Sequence, residues 1–156
     1  MKIRDARGAD REAIAAMWRE LMAHHRARDS RFRVAPDGER NYSRHMQDMM
    51  RSRDARVLVA ETAERAPISG YLVVELQQRP PMAMPGYYGF LSDMYVLESA
   101  RRQGVGRLLF EEAQRWLAVR KAVAIELYVA DANPEATAFW EAMGFGSFLK
   151  LMHRRM

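Results

Sequence analysis

Arg101-Arg102-Gln103-Gly104-Val105-Gly106-Arg107 is the stretch on which the fold of this chain turns. It lies between an apolar, strand-like run, Tyr87 to Leu97, and a pattern that predicts an amphipathic helix from Val105 to Arg120. Glycines at a strand-to-helix junction let the backbone approach a ligand with several N–H groups pointing the same way. The positive end of the following helix dipole adds to them, so the turn suits a pyrophosphate. Two other phosphate loops do not fit. A Walker loop needs Gly-Lys-Ser/Thr where this chain has Gly106-Arg107-Leu108, and the dinucleotide fingerprint G-x-G-x-x-G fails at Leu109.

Downstream of the turn, Val123 to Val129 reads as a buried strand. Asn133 is a helix cap with Pro134 favourably at the first helical position. Gly144 ends that helix as a C′ glycine, and Phe145 to His153 is expected to close the sheet. Upstream, Gln77 to Gly86 holds Pro80, Pro81 and Pro85, which indicate a loop. Strands are predicted at Arg56 to Glu61 and Ile68 to Leu76, joined through a turn at Glu64 to Pro67. A helix over Asn41 to Met50 has Tyr42, Met46, Met49 and Met50 as its apolar face. Before it, Asp10 is placed to cap a helix whose stripe is Ile14, Met17, Trp18, Leu21 and Met22, fraying at His24 to Asp29. Lys2 to Ala6 is a short first strand.

At 156 residues and 49% hydrophobic, residues 1–156 are expected to form one domain. No apolar run reaches membrane-spanning length, the charged start Met1-Lys2-Ile3-Arg4-Asp5 does not read as a signal peptide, and the cytoplasm is the expected location. The absence of cysteine removes disulfides and thiolate metal sites. His24 and His25 are adjacent and so face different ways on a helix, and no metal is expected. The net charge is +5, but basic and acidic residues alternate along the helices (Arg11, Glu12, Arg19, Glu20; Arg107, Glu111, Glu112, Arg115). Such alternation reads as solvated helix faces rather than a nucleic-acid surface, and no membrane partner is expected.

The turn has the form Arg/Gln-x-x-Gly-x-Gly/Ala and resembles the coenzyme A pyrophosphate loop of the GNAT N-acetyltransferase superfamily. Asp93-Met94-Tyr95-Val96 is similar to that family's fourth strand, and Asn133-x-x-Ala136-x-x-Phe139-Trp140-x-x-x-Gly144-Phe145 to its second signature. The match covers roughly Tyr87 to Phe145. The resemblance implies a mixed α/β GNAT fold: a mostly antiparallel sheet of six to seven strands, helices on both sides, and the order β-α-α-β-β-β-α-β-α-β. It implies acetyl-CoA as acetyl donor and a primary amine of a small molecule or peptide as acceptor. It is also compatible with a homodimer. Without cysteine, the acetyl group would pass directly from coenzyme to acceptor.

The resemblance also distributes roles. Arg101, Arg102, Gln103, Gly104, Val105, Gly106 and Arg107 would hold the pyrophosphate, the backbone of Met94, Tyr95 and Val96 the pantetheine arm, and Asn133, Phe139 and Trp140 would border the coenzyme. A backbone N–H at Met94 or Tyr95 would meet the oxyanion. Two carboxylates inside apolar strands, Glu75 and Asp93, are the candidate bases. Alternation puts Glu75 with Tyr71 and Val73, and Asp93 with Leu91 and Tyr95. Ser92 stands where some polyamine acetyltransferases carry Glu, which argues against a polyamine acceptor. Many members place a Tyr where this chain has Trp140, whose indole is no acid at neutral pH. Either Tyr95 or Tyr128 protonates the leaving thiolate, or the thiolate leaves without an acid, the simpler reading. Met82, Met84, Tyr87 and Tyr88 either line an acceptor pocket or pack the proline-containing loop. A noncatalytic acyl-CoA-binding module is the competing class; Trp140 speaks for it and the two strand carboxylates against it.

Overall fold

Two unbroken apolar runs, Val57-Leu58-Val59-Ala60 and Tyr71-Leu72-Val73-Val74, form the middle of a sheet covered on both faces. The computed structural model describes residues 1–62, 67–80, 82 and 86–156. Among these the strands are β1 (Lys2–Asp5), β2 (Ala55–Glu61), β3 (Ile68–Gln78), β4 (Tyr87–Val96) and β5 (Ala122–Leu127). The helices are α1 (Arg11–Arg28), α2 (Gly38–Arg51), α3 (Val105–Val119) and α4 (Pro134–Ala142). The sheet order follows the chain, β1 to β5; the first three pairings are antiparallel and β4 pairs with β5 in parallel. A parallel neighbour requires a crossover, and α3 supplies it.

Alternation along β2 and β3 divides the interior in two. Val57, Val59, Tyr71 and Val73 pack against Ile14, Met17, Tyr42 and Met46 of α1 and α2. Leu58, Leu72 and Val74 pack with Leu91 against Val105, Leu109, Phe110, Ala113 and Leu117 of α3, and Trp140 of α4. Each large apolar side chain buried here contributes on the order of 1.5–3 kcal/mol.

Three expectations fail. The sheet has five strands among the described residues, not six to seven, because Phe145 to His153 forms none. Its apolar residues come as adjacent pairs, Phe148-Leu149 and Leu151-Met152, so neither face of an extended chain would be consistently apolar, and all four are exposed. The end of α4 itself follows the sequence reading. Gly144 is left-handed (φ 91°), its N–H donates to Glu141 O, and Phe145 N–H reaches back to Trp140 O, the Schellman arrangement.

Second, α1 does not fray at His24 but stays helical through Arg28, whose guanidinium lies 3.0 Å from His24 Nδ1 one turn back. Third, Asp10 takes the N-cap position of α1 as expected, but its side chain makes no capping hydrogen bond to the helix. Its carboxylate accepts from Arg7 N–H (2.6 Å) across the preceding 3₁₀ turn, Gly8–Asp10, and from both terminal nitrogens of Arg4 (2.7 and 3.0 Å). Part of the expected turn at Glu64 to Pro67, and Pro81, Met84 and Pro85 of the loop, lie outside the described residues.

Candidate active site

The site is set by an irregularity in β4. Val73 pairs with Asp93, but the next rung joins Val74 to Leu91, leaving Ser92 without a partner. One extra residue on a strand reverses its alternation. Leu91 therefore packs into the α3–α4 core, whereas Tyr95 packs on the α1–α2 side and Asp93 bonds to Tyr42 of α2. Simple alternation had grouped Asp93 with both Leu91 and Tyr95; only Tyr95 shares its face. Glu75, two residues beyond Val73, lies on that face as well, opposite Phe90.

The sheet opens beside this irregularity. Pairing of β4 to β5 ends at Leu91 with Leu127, while β4 continues to Val96. Over Ser92 to Val96, the edge of β4 turned away from β3 has no strand beside it among the described residues. Such an edge is a template for an extended amide-bearing chain.

Past this notch the chain makes a 3₁₀ turn, Glu98–Ala100, then enters the glycine turn with Arg102 (φ 62°) and Gly104 (φ 81°) left-handed. Holding an arginine in that region costs about 1–2 kcal/mol. A Cβ on Gly104 would meet nothing within 4 Å, so its glycine serves the backbone conformation and leaves open space above it. Gly104 also lacks a side chain to cap α3. The first intrahelical bond at this end runs from Leu108 N–H to Gly104 O (3.0 Å), leaving the preceding N–H groups without a helical acceptor. At Gly106 a Cβ would lie 3.2 Å from the Phe139 ring and 3.6 Å from Met94 Cε, so helix start, α4 and β4 meet there. Arg101 Nε donates to Val96 O (3.1 Å) and its guanidinium lies over the Tyr95 ring; Gln103 Nε2 donates to Ser99 O (2.9 Å). These two side chains brace the turn itself, and Arg102 and Arg107 are exposed.

Coenzyme A, with its pyrophosphate and two-amide arm, fits this donor set: uncapped N–H groups, open space over a left-handed glycine, two exposed guanidiniums and a free strand edge.

Burial pushes the Asp93 carboxyl up to about 6, and the nearby charge of Glu75 pushes the same way; the hydrogen bond from Tyr42 O–H (3.2 Å) opposes them. The other oxygen, Oδ1, accepts no hydrogen bond among the described residues, and Asp93 is only part-buried. Tyr95 O–H donates to Glu20 Oε2 of α1 (2.9 Å), and burial and that carboxylate raise its pKa, which disfavours it as an acid. Tyr128 stands just past the last β4–β5 rung, 77% exposed, with its ring edge-on to Phe90.

Asn133 behaves as a cap: its Oδ1 accepts from Ala136 N–H at 3.2 Å. Trp140 packs inside the cluster between α3 and α4. It is 8% exposed and meets Phe110, Phe139 and Phe145 edge-on, so it is a core residue. Tyr88 packs the loop, donating to Gln77 Oε1 (2.6 Å) under the Arg79 guanidinium, and Met82 is exposed. Glu20, Tyr42 and Tyr71 were not singled out from sequence. The signal for the last two was tyrosine, rather than phenylalanine, at positions reading as core. A cleft of about 640 Å³ between α1 and α2, lined by Arg11, Glu12, Asp37 and Arg44 among others, contains none of these residues.

Residues 16–145 match the model of the acetyltransferase (GNAT) family. No curated protein matches the chain. The crystal structure of a tetramutant of the BH1408 protein from Bacillus halodurans is 30% identical, covers 100% of both chains and superposes with a TM-score of 0.88. The apo aminoglycoside 6′-N-acetyltransferase AAC(6′)-Ig from Acinetobacter haemolyticus, 19% identical, covers 100% of this chain and 98% of its own at a TM-score of 0.78. The aminoglycoside N-acetyltransferase AAC(6′)-Iy, solved with CoA and 15% identical, covers 99% and 93% at 0.79. These two share the fold. With its family match spanning most of its length, and with the glycine turn, opened strand edge and capped α4 in place, the chain belongs to the GNAT acetyltransferase family.

Proposed function

We propose that this protein is an acetyl-CoA-dependent N-acetyltransferase that passes the acetyl group directly to a primary amine of a small molecule or peptide. Bound acetyl-CoA would supply the acetyl group as a thioester. Arg102, Arg107 and the N–H groups at the start of α3 would hold the pyrophosphate, and the free edge of β4 at Met94, Tyr95 and Val96 the pantetheine arm. Backbone N–H groups at Met94 or Tyr95 would face the acyl oxygen; preorganised donors of this kind are worth roughly 10²- to 10³-fold in rate. The acceptor amine, near pKa about 10, is mostly charged at neutral pH and must lose a proton. Asp93 is the base in this reading, ionised at pH 7 yet more basic than an ordinary carboxylate, and Glu75 is the neighbour that sharpens that property. The thiolate leaves without a side-chain acid in this reading, since a thiol pKa of ~8.5 makes it a tolerable leaving group and the Trp140 indole is no acid.

The observation that carries the reading is the juxtaposition of Asp93 with an unpaired strand edge that leads into an uncapped glycine turn. Thermal melting with acetyl-CoA, coenzyme A and ATP tests the first half. A ligand that binds only the folded state stabilises it by about 2.7 kcal/mol at a hundred times its Kd. A shift with both coenzyme forms and none with ATP is expected; no shift at saturation refutes the turn assignment. Turnover on a panel of primary amines tests the second half. Binding without turnover on any of them would favour the noncatalytic module.

A further inference from the structure

Behind Asp93 lies a pair of buried phenols. Tyr42 reaches in from α2 and Tyr71 stands on β3, with their oxygens 3.3 Å apart; the Tyr42 oxygen is also 3.2 Å from Asp93 Oδ2. Burial raises both phenol pKa values, with Asp93 adding to the effect, so both stay neutral at any working pH. Each therefore has one proton to donate. An ionised carboxylate only accepts, so Tyr42 must give its proton to Asp93. Its oxygen is then left to accept from Tyr71, and the order of the three groups is determined: Tyr71 O–H to Tyr42 O, Tyr42 O–H to Asp93 Oδ2.

We infer that Tyr42 is a positioning residue for Asp93, the second member of a two-phenol donor chain that holds the carboxylate by Oδ2 and leaves Oδ1 toward the acceptor. This rests on Asp93 being the base. The Tyr42 ring is itself fixed, stacked on Trp18 of α1 at 4.6 Å between centroids and 10° between planes. The geometry thus ties the orientation of Asp93 to the packing of the first two helices. The other ionisable groups around this cluster are Glu75 on β3, Tyr95 on β4, bonded to Glu20 of α1 and under Arg101, and His45 on α2, whose ring is 6.3 Å from that of Tyr42.

The test is Tyr42→Phe, which keeps the stacked ring and removes only the hydroxyl, beside Tyr71→Phe and Asp93→Asn. The first readout is the pH dependence of the melting temperature of the ligand-free protein, with each variant compared with and without Asp93→Asn to isolate that carboxyl. The second is the acid limb of kcat/KM. Losing a donor to a charged acceptor is expected to move the Asp93 inflection in Tyr42→Phe to higher pH by about one unit in both. Tyr71→Phe is expected to move it the same way but less. An unmoved inflection in Tyr42→Phe, or a larger shift in Tyr71→Phe, overturns the ordered chain. If Asp93→Asn keeps the parent rate and pH profile, Asp93 is not the base, and a catalytic positioning role for Tyr42 is overturned with it. The ligand-free titration then reports the hydrogen bond alone, so the two failures are told apart.

Discussion

Asp93→Asn is expected to lower kcat/KM by about 10²- to 10⁴-fold, the usual range for losing a general base, while raising the melting temperature at neutral pH. The two effects have one origin. The folded-state pKa of Asp93 lies near 6, above the ordinary 3.8. At pH below about 4 the carboxyl is protonated in both folded and unfolded chains, and its contribution to stability is fully present. As pH rises through 6, the folded state must carry a charge that the unfolded chain ionises more readily, and that contribution is lost. The loss is on the order of 2–3 kcal/mol. Asparagine has no such titration and still accepts from Tyr42, so the variant should lack this decline between pH 4 and 7. Melting curves across that range, beside steady-state rates, check both halves. A variant that loses activity and stability together at pH 7 would make Asp93 a structural group.

Trp140→Ala is expected to destabilise the fold by about 3–5 kcal/mol, a large part of the 5–15 kcal/mol typical of a domain. Three aromatic rings meet this indole edge-on, and removing it leaves a cavity between α3, α4 and the chain after Gly144. Trp140→Phe should lose far less stability and leave kcat unchanged, because the position serves packing rather than proton transfer. Denaturant unfolding and rate measurements on the two variants separate these roles. A folded Trp140→Phe variant with a collapsed kcat would restore a chemical role to the residue.

The parts of this fold legible in the sequence obey local rules. A left-handed glycine before a helix, an asparagine cap followed by proline, and a C′ glycine that ends α4 each depend on a few consecutive residues, and each stands where it was expected. What was not legible depends on distant partners. Asp10 is an ordinary capping residue by sequence, but Arg4 and the backbone of Arg7 take its carboxylate. Nothing near Ser92 announces that β4 gains a residue against β3, so alternation put Leu91 and Asp93 on one face. Tyr42 belongs to a helix stripe that reads as apolar, and its hydroxyl acquires meaning only because β3 and β4 pass beneath it. The last strand was expected at Phe145 to His153, where the apolar residues come in doublets that do not alternate.

The unpaired residue at Ser92 lets one strand face two ways. Leu91 and Met94 serve the half of the molecule that would grip the coenzyme, and Asp93 and Tyr95 the half beneath α1 and α2. The serine side chain itself is exposed and pairs with no rung. The register of this strand therefore depends on a residue being present at 92, whatever its side chain does for the acceptor. Loss of a single codon there would restore regular alternation and rotate one of the two functional faces out of place, an error that no substitution at 92 could produce.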